Sequence, residues 1–172
     1  MSERAGAYVF DSVLRDKEFE VELEFTVQSE LDKANGFMTL LTQHEMYEAE
    51  FTESVIGYRQ NFEGIGVFVF RHPHRDNKWF AMTLQNQGTR SVLRLENHMY
   101  SGLRNNNHCE IDMDKGVRTG LRIQIVDKQV ITMVKDSDDV SYRECAKQGL
   151  MNKQWKNHHF AVAAKNSYNN EN

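Results

Sequence analysis

Between Gly64 and Gly88 two uninterrupted runs, Val67-Phe-Val-Phe70 and Trp79-Phe-Ala-Met-Thr-Leu84, are separated by the polar stretch Arg71-His-Pro-His-Arg-Asp-Asn-Lys78, which holds the only proline of the chain. Runs this short, rich in β-branched and aromatic residues and bounded by turn signals, predict two adjacent strands. Neither run has a polar face, so both strands are expected in the middle of a sheet covered on both sides. The polar stretch then becomes a loop at the mouth of that sheet, where a rigid scaffold can present binding residues.

The rest of the chain alternates. Phe19, Val21, Leu23, Phe25 and Val27 interleave with Glu20, Glu22, Glu24 and Thr26, which predicts a strand with one wet, acidic face that also discourages edge pairing. Leu121–Val126 and Gln129–Val134 flank Asp127-Lys128 as a hairpin, with Leu121, Ile123 and Ile125 on one side and Arg122 and Gln124 on the other. Gly36–Thr42 follows Asn35-Gly36, a pair that favours positive φ and marks a tight turn. Tyr8–Phe10, Ser91–Leu95 and His159–Ala164 supply further strands. Gln43–Ser54 suits a short helix, a loop or an edge strand, and Tyr142–Asn152 a short helix or turn around Cys145. About eight to ten short strands with almost no helix predict an all-β fold, an antiparallel β-sandwich or jelly roll. Its expected core is Val67 to Phe70, Phe80, Leu84, Ile123, Ile125, Val130, Met133, Phe160 and Val162. With 172 residues and 40% hydrophobic content, one domain spanning 1–172 is expected, its core at about 7–167 and a polar, frayed tail at 165–172.

A net charge of -4 provides no basic field for phosphates, so nucleic acid is not an expected partner. No apolar stretch approaches the roughly 20 residues that span a bilayer, and Met1–Gly6 is too polar and short for a signal peptide. Cys109 and Cys145 are the only cysteines and neither has a close CxxC partner, which leaves a long-range bridge or two buried thiols. There is no Asn-x-Ser/Thr glycosylation acceptor.

Three constellations bear on chemistry. His72, His74 and Asp76 have ligand types that suit zinc, but a proline-punctuated exposed loop explains the same residues, and no metal is expected. His158-His159 beside an apolar strand reads as packing. Glu110-Ile-Asp112-Met-Asp114, if it is a strand, places three carboxyls on one face about 7 Å apart, resembling the Glu-x-Asp-x-Glu strand of retaining β-glucanases. On that reading Glu110 is the nucleophile and Asp114 the acid/base; the plainer reading is a solvated strand end.

The succession FEVELEFTV, ANGFMTLLTQ, FEGIGVFVF, a polar loop, KWFAMTLQNQG, ENHMYSG, Cys109, LRIQIVDKQVITMV, YREC and HHFAVAAKNS, from Ala7 to about Ser167, resembles the L-type lectin domain of early secretory pathway cargo receptors, relatives of the leguminous lectins. The resemblance implies a concanavalin-like jelly roll, a disulfide between Cys109 and Cys145, an ER/Golgi location and calcium-dependent recognition of mannose-type N-glycans. The family's sugar-binding Asp falls on Asn35 and its His on His98, while two neighbouring Asp positions fall on Asn97 and Ser101. Its first metal-loop Asp falls on Phe70, and the loop that follows offers Asp76 alone among Arg71, Arg75 and Lys78. Calcium takes about 6 to 8 oxygen ligands, so the resemblance leads to an expected loss of the metal and a sugar site, if kept, built on Asn35 and His98. The expected partners are N-linked glycans, glycoprotein cargo or a protein partner, and the expected role is non-enzymatic, either lectin-like recognition or a structural interaction module.

Overall fold

The connection between the two best-patterned strands shows how the chain is built. Asp127 and Lys128 both have positive φ, 51° and 60°, as a two-residue type I′ turn requires, and this turn matches the twist of the strands it joins. β9 (Arg118–Val126) and β10 (Gln129–Lys135) therefore pair antiparallel in fixed register, with Gln129 opposite Val126.

The structure is a computed structural model that describes residues 4–14, 18–27, 36–42, 54–55, 58–59, 62–71, 78–87, 107–151 and 158–166. All regular elements among them are strands. The remaining strands are β1 (Arg4–Leu14), β2 (Phe19–Thr26), β3 (Gly36–Thr42), β4 (Ser54–Val55), β5 (Tyr58–Arg59), β6 (Glu63–Arg71), β7 (Trp79–Gln87), β8 (His108–Ile111), β11 (Arg143–Gly149) and β12 (His158–Asn166). They form a six-stranded sheet in the order β1-β12-β3-β6-β7-β8, a four-stranded sheet in the order β11-β10-β9-β2, and the short ribbon β4-β5. All pairings are antiparallel. The two larger sheets make the expected sandwich.

Alternation sorts side chains between layers. Leu41, Ile65, Val67, Val69, Trp79, Ala81 and Ile111 from the six-stranded sheet meet Leu121, Ile123, Ile125, Val130 and Val134 from the other in one apolar core. The opposite face of the six-stranded sheet is buried too: Met38, Leu40, Phe68, Phe70, Phe80 and Met82 are at most 3% exposed. The apolar runs of β6 and β7 are central strands covered on both sides, as their lack of a polar face required.

Some expectations need correction. Residues 143–149 are strand β11, not a helix or turn, because they complete the hairpin ladder on β10 and carry Cys145 to its partner. Met133 lies on the outer face and is half-buried; a period of two puts Thr132 and Val134 inward with Val130, and Met133 is out of phase with them. Leu84 and Val162 are half-buried. Lys165 and Asn166 continue β12 instead of fraying. Residues 43–53 and 91–95 lie outside the described residues.

Candidate functional site

Antiparallel register brings one end of the six-stranded sheet together. Lys165 of β12 stands opposite Gly36 of β3, Gly36 opposite Phe70 of β6, Phe70 opposite Phe80 of β7, and Phe80 opposite Glu110 of β8. The polar loop leaves β6 after Arg71 and enters β7 at Lys78, so it springs from this row. Asn35 is bonded to Gly36, the first residue of β3, at the same end. Asn35 itself, His98 and residues 72–77 lie outside the described residues; the row holds the strand ends next to Asn35 and to the polar loop, whereas the segment that contains His98 follows Gln87, at the other end of β7.

Gly36 and Gly64 close the two ends of the β3–β6 ladder with φ of +141° and +139°. A Cβ on Gly36 would sit 2.1 Å from the Val69 carbonyl oxygen, and one on Gly64 1.7 Å from that of Leu41. Only glycine lets the strands approach this closely.

Phe70, where the resemblance calls for a metal-binding Asp, is 2% exposed, with its ring 6.2 Å from that of Phe80. The side chain there is hydrocarbon facing hydrocarbon. Beside it Lys78 pairs with the Glu110 carboxylate, and Arg143 donates to the Glu110 carbonyl at 2.6 Å. Arg143 also forks onto Asp136, at 2.9 and 3.1 Å.

The regular strand beneath the three-carboxylate row ends before Asp112 and Asp114. β8 ends at Ile111, and the following residues turn across to the other sheet's loop: Asp112 N donates to Asp136 Oδ1 (2.9 Å), Asp114 N to Ser137 Oγ (2.8 Å) and Ser137 N to the Asp112 carbonyl (3.1 Å). Glu110 is neutralised by Lys78, and the strand that was to align the three is absent beyond Ile111. The glucanase reading therefore lacks the continuous strand it called for. No cluster of three or more His, Cys, Asp or Glu able to hold a metal occurs among the described residues.

Cys109 of β8 and Cys145 of β11 form a disulfide, with Cα atoms 5.1 Å apart, linking the sheets one residue from Glu110. Of the bridge and the two buried thiols that composition left open, the bridge is the outcome. Next to it runs a polar bond set that sequence patterning missed. The Thr83 and Thr132 hydroxyls, both buried, lie 2.7 Å apart across the sheets. The Thr83 carbonyl accepts from Asn107 Nδ2 (3.0 Å) and Gln148 Nε2 (2.9 Å), and Gln85 Nε2 donates to the Gly149 carbonyl (2.9 Å).

A family model, the legume-like lectin family, matches residues 1–172 of the chain. The chain belongs to the legume-like lectin family. Among solved structures, this legume-like lectin resembles the exoplasmic/lumenal domain of VIP36 in its Ca2+/Man3GlcNAc-bound form, with TM-score 0.78, 15% identity, 97% of this chain covered and 70% of that one. The legume lectin-like domain from Entamoeba histolytica gives TM-score 0.67 at 15% identity, covering 96% of this chain and 72% of that one. The carbohydrate recognition domain of Emp47p gives TM-score 0.67 at 15% identity, covering 96% and 70%. No curated protein sequence matches. At these identities the neighbours share the fold of this legume-like lectin; its site chemistry rests on its own residues.

Proposed function

We propose that this legume-like lectin is a non-enzymatic domain that recognises mannose-type glycans on glycoproteins of the secretory pathway, without a bound calcium ion. The observation that carries the recognition role is the family match across the whole chain, joined to a fold shared with a VIP36 domain whose structure holds Man3GlcNAc. The Cys109–Cys145 bridge supports an oxidising compartment. Asn35 and His98 are the proposed sugar-contacting residues; an amide and an imidazole offer both donors and acceptors to sugar hydroxyls.

The residues that frame the loop do not suit calcium. Hard oxygens, chiefly carboxylates, are required. At the strand ends stand the buried phenyl ring of Phe70 and the cations Arg71 and Lys78, and between them the sequence offers only Asp76. VIP36 has been seen with calcium, so the proposal separates this chain from that neighbour.

Glycan-array binding with calcium and with a chelator tests both parts. Mannose oligosaccharides are expected to bind equally in the two conditions, and Asn35→Ala and His98→Ala each to abolish the signal. Absence of mannose binding in both conditions sinks the recognition role. Calorimetric calcium binding tighter than about 10⁻⁴ M, the weak end of protein calcium sites, lost in Asp76→Ala, sinks the metal-free part alone.

A further inference from the structure

The β6–β7 ladder ends with Arg71 opposite Trp79, so Lys78 is the last residue of the polar loop and lies outside the ladder that fixes its neighbours. Ile111 of β8 stands opposite Trp79, and one more residue in register would bring Asp112 across from Lys78. β8 does not continue: Asp112 N donates to Asp136 Oδ1 at 2.9 Å. Lys78 reaches back diagonally instead and pairs with the carboxylate of Glu110, the residue opposite Phe80.

Glu110 is a fixed point. Cys109 before it is bridged to Cys145 of β11. The Glu110 carbonyl accepts from Arg143 Nη2 at 2.6 Å, and the same guanidinium forks onto Asp136 at 2.9 and 3.1 Å. Asp136, with its side chain only 14% exposed, is also the acceptor for Asp112 N. A bidentate pair with one partner mostly buried is held more firmly than the exposed pair it supports. The backbone is thus tied just before, at and just after Glu110, and the Glu110 side chain passes that rigidity to Lys78. The Lys78 and Glu110 side chains are 50% and 40% exposed, so their pairing adds little to the stability of the fold. What it fixes is the place where the loop joins β7. A loop that no divalent cation holds has to be held by the chain's own bonds, and here an ammonium group makes a tie across strands of the kind a metal ion makes.

We infer, on the metal-free glycan reading above, that Glu110 is a positioning residue for sugar binding, with Arg143 behind it. Glu110 holds Lys78 and thereby sets the return of the polar loop beside Phe70, at the sheet end where Asn35 leads into β3. Neither Glu110 nor Arg143 contacts the sugar. Three strand spacings, about 14 Å, separate Glu110 from Gly36, so its influence passes through Lys78.

The test uses variants of the 172-residue protein in calorimetric titration with Man3GlcNAc, together with hydrogen exchange of residues 71–80 without sugar. Glu110→Gln and Lys78→Met should each weaken binding roughly threefold to fivefold, the reach of an exposed ion pair. Their melting temperatures should stay within about 4 °C of the parent's. Lys78→Arg, which keeps the pair, should bind as the parent does. The double variant Lys78→Met/Glu110→Gln should bind no more weakly than either single, because the same contact is lost once. Arg143→Lys, on the other sheet, keeps its charge but loses the fork, and should weaken binding to a similar degree. Amides in 71–80 should exchange faster in Glu110→Gln, Lys78→Met and Arg143→Lys. Losses that add in the double variant, an equal loss in Lys78→Arg, or exchange unaltered by Glu110→Gln would each overturn the positioning role. No sugar binding by the parent refutes the glycan reading, and exchange then decides the anchoring of the loop by itself.

Discussion

Tyr142 gathers the charged outer face of the four-stranded sheet around one ring. Its hydroxyl donates to Glu22 Oε1 at 3.0 Å, the Arg122 guanidinium lies 4.1 Å over the ring, and Lys135 Nζ is 5.4 Å from the centroid. Burial first, and the Glu22 carboxylate second, push the phenol up to about 12. The ring holds its proton in the folded state where an unfolded tyrosine, near 10, has lost it. The stabilising contribution is therefore complete below pH 10 and is lost as pH rises from about 10 to about 12. Glu22 and Glu24 behave oppositely. Hydrogen bonds from Arg122 and Tyr142 lower the first, and a bond from Lys135 lowers the second, so their contribution is present above the ordinary carboxylate pKa of 4.5 and fades as pH falls below it. Gly120 lies beneath the ring, where a Cβ would come within 2.5 Å of the Tyr142 hydroxyl. Gly120→Ala should expel Tyr142 and return one phenolate absorbance titration from about 12 toward about 10. An unchanged titration would show that burial at this spot does not hold the proton. Neither residue was singled out by the sequence: the strand was expected to begin at Leu121, which left Gly120 outside it, and nothing in local periodicity joins positions 120 and 142.

Elements with a strict period were readable in advance. β2 has the exposure alternation that its Phe/Val/Leu and Glu rows dictate, and the β9–β10 hairpin keeps its turn and facing. The failures have physical causes. β11, Arg-Glu-Cys-Ala-Lys-Gln-Gly, is polar and lacks a β pattern; it is a strand because β10 offers it an edge and Cys109 holds it there. Tertiary context overrides weak strand propensity. The run from Glu110 to Asp114 has the right period for a strand, but its backbone groups are taken by Asp136 and Ser137 after Ile111. At the candidate sugar site the described residues include the strand ends, where Phe70 is buried against Phe80, while Asn35 and His98 lie outside them. The β3–β6 ladder supports a sharp prediction. Gly64→Ala meets a carbonyl oxygen at 1.7 Å in a backbone conformation that L-residues avoid. Since the obstacle is backbone, relief requires separating two central strands, and the variant should lose about 3 kcal/mol or more in denaturant unfolding. A loss under about 1 kcal/mol would mean that the ladder end yields easily.

For the whole molecule, the disulfide closes a segment of sequence separation 36. A loop of that length is worth about 4 kcal/mol in the chain-entropy model. Cys109→Ser/Cys145→Ser should lower stability by about that amount, against a marginal total of about 5–15 kcal/mol for a domain, and equal melting of the oxidised and reduced protein would contradict it. The bridge does more than shorten the unfolded chain, because of where it lies. The Thr83–Thr132 contact, the Gln85 and Gln148 bonds, the Arg143 bond to Glu110 and the bridge itself all join β7 or β8 to β10 or β11. On the far side, β2 meets β3 through rings such as Phe25 and Phe37. The sandwich is thus a book sewn along its spine and held at the fore-edge by the pages' own adhesion. Under mild denaturant, hydrogen exchange should advance from β1, β12 and β2 toward β8 and β11. Whatever reads this protein from the fore-edge, peptide or protease, meets the pages where they part first.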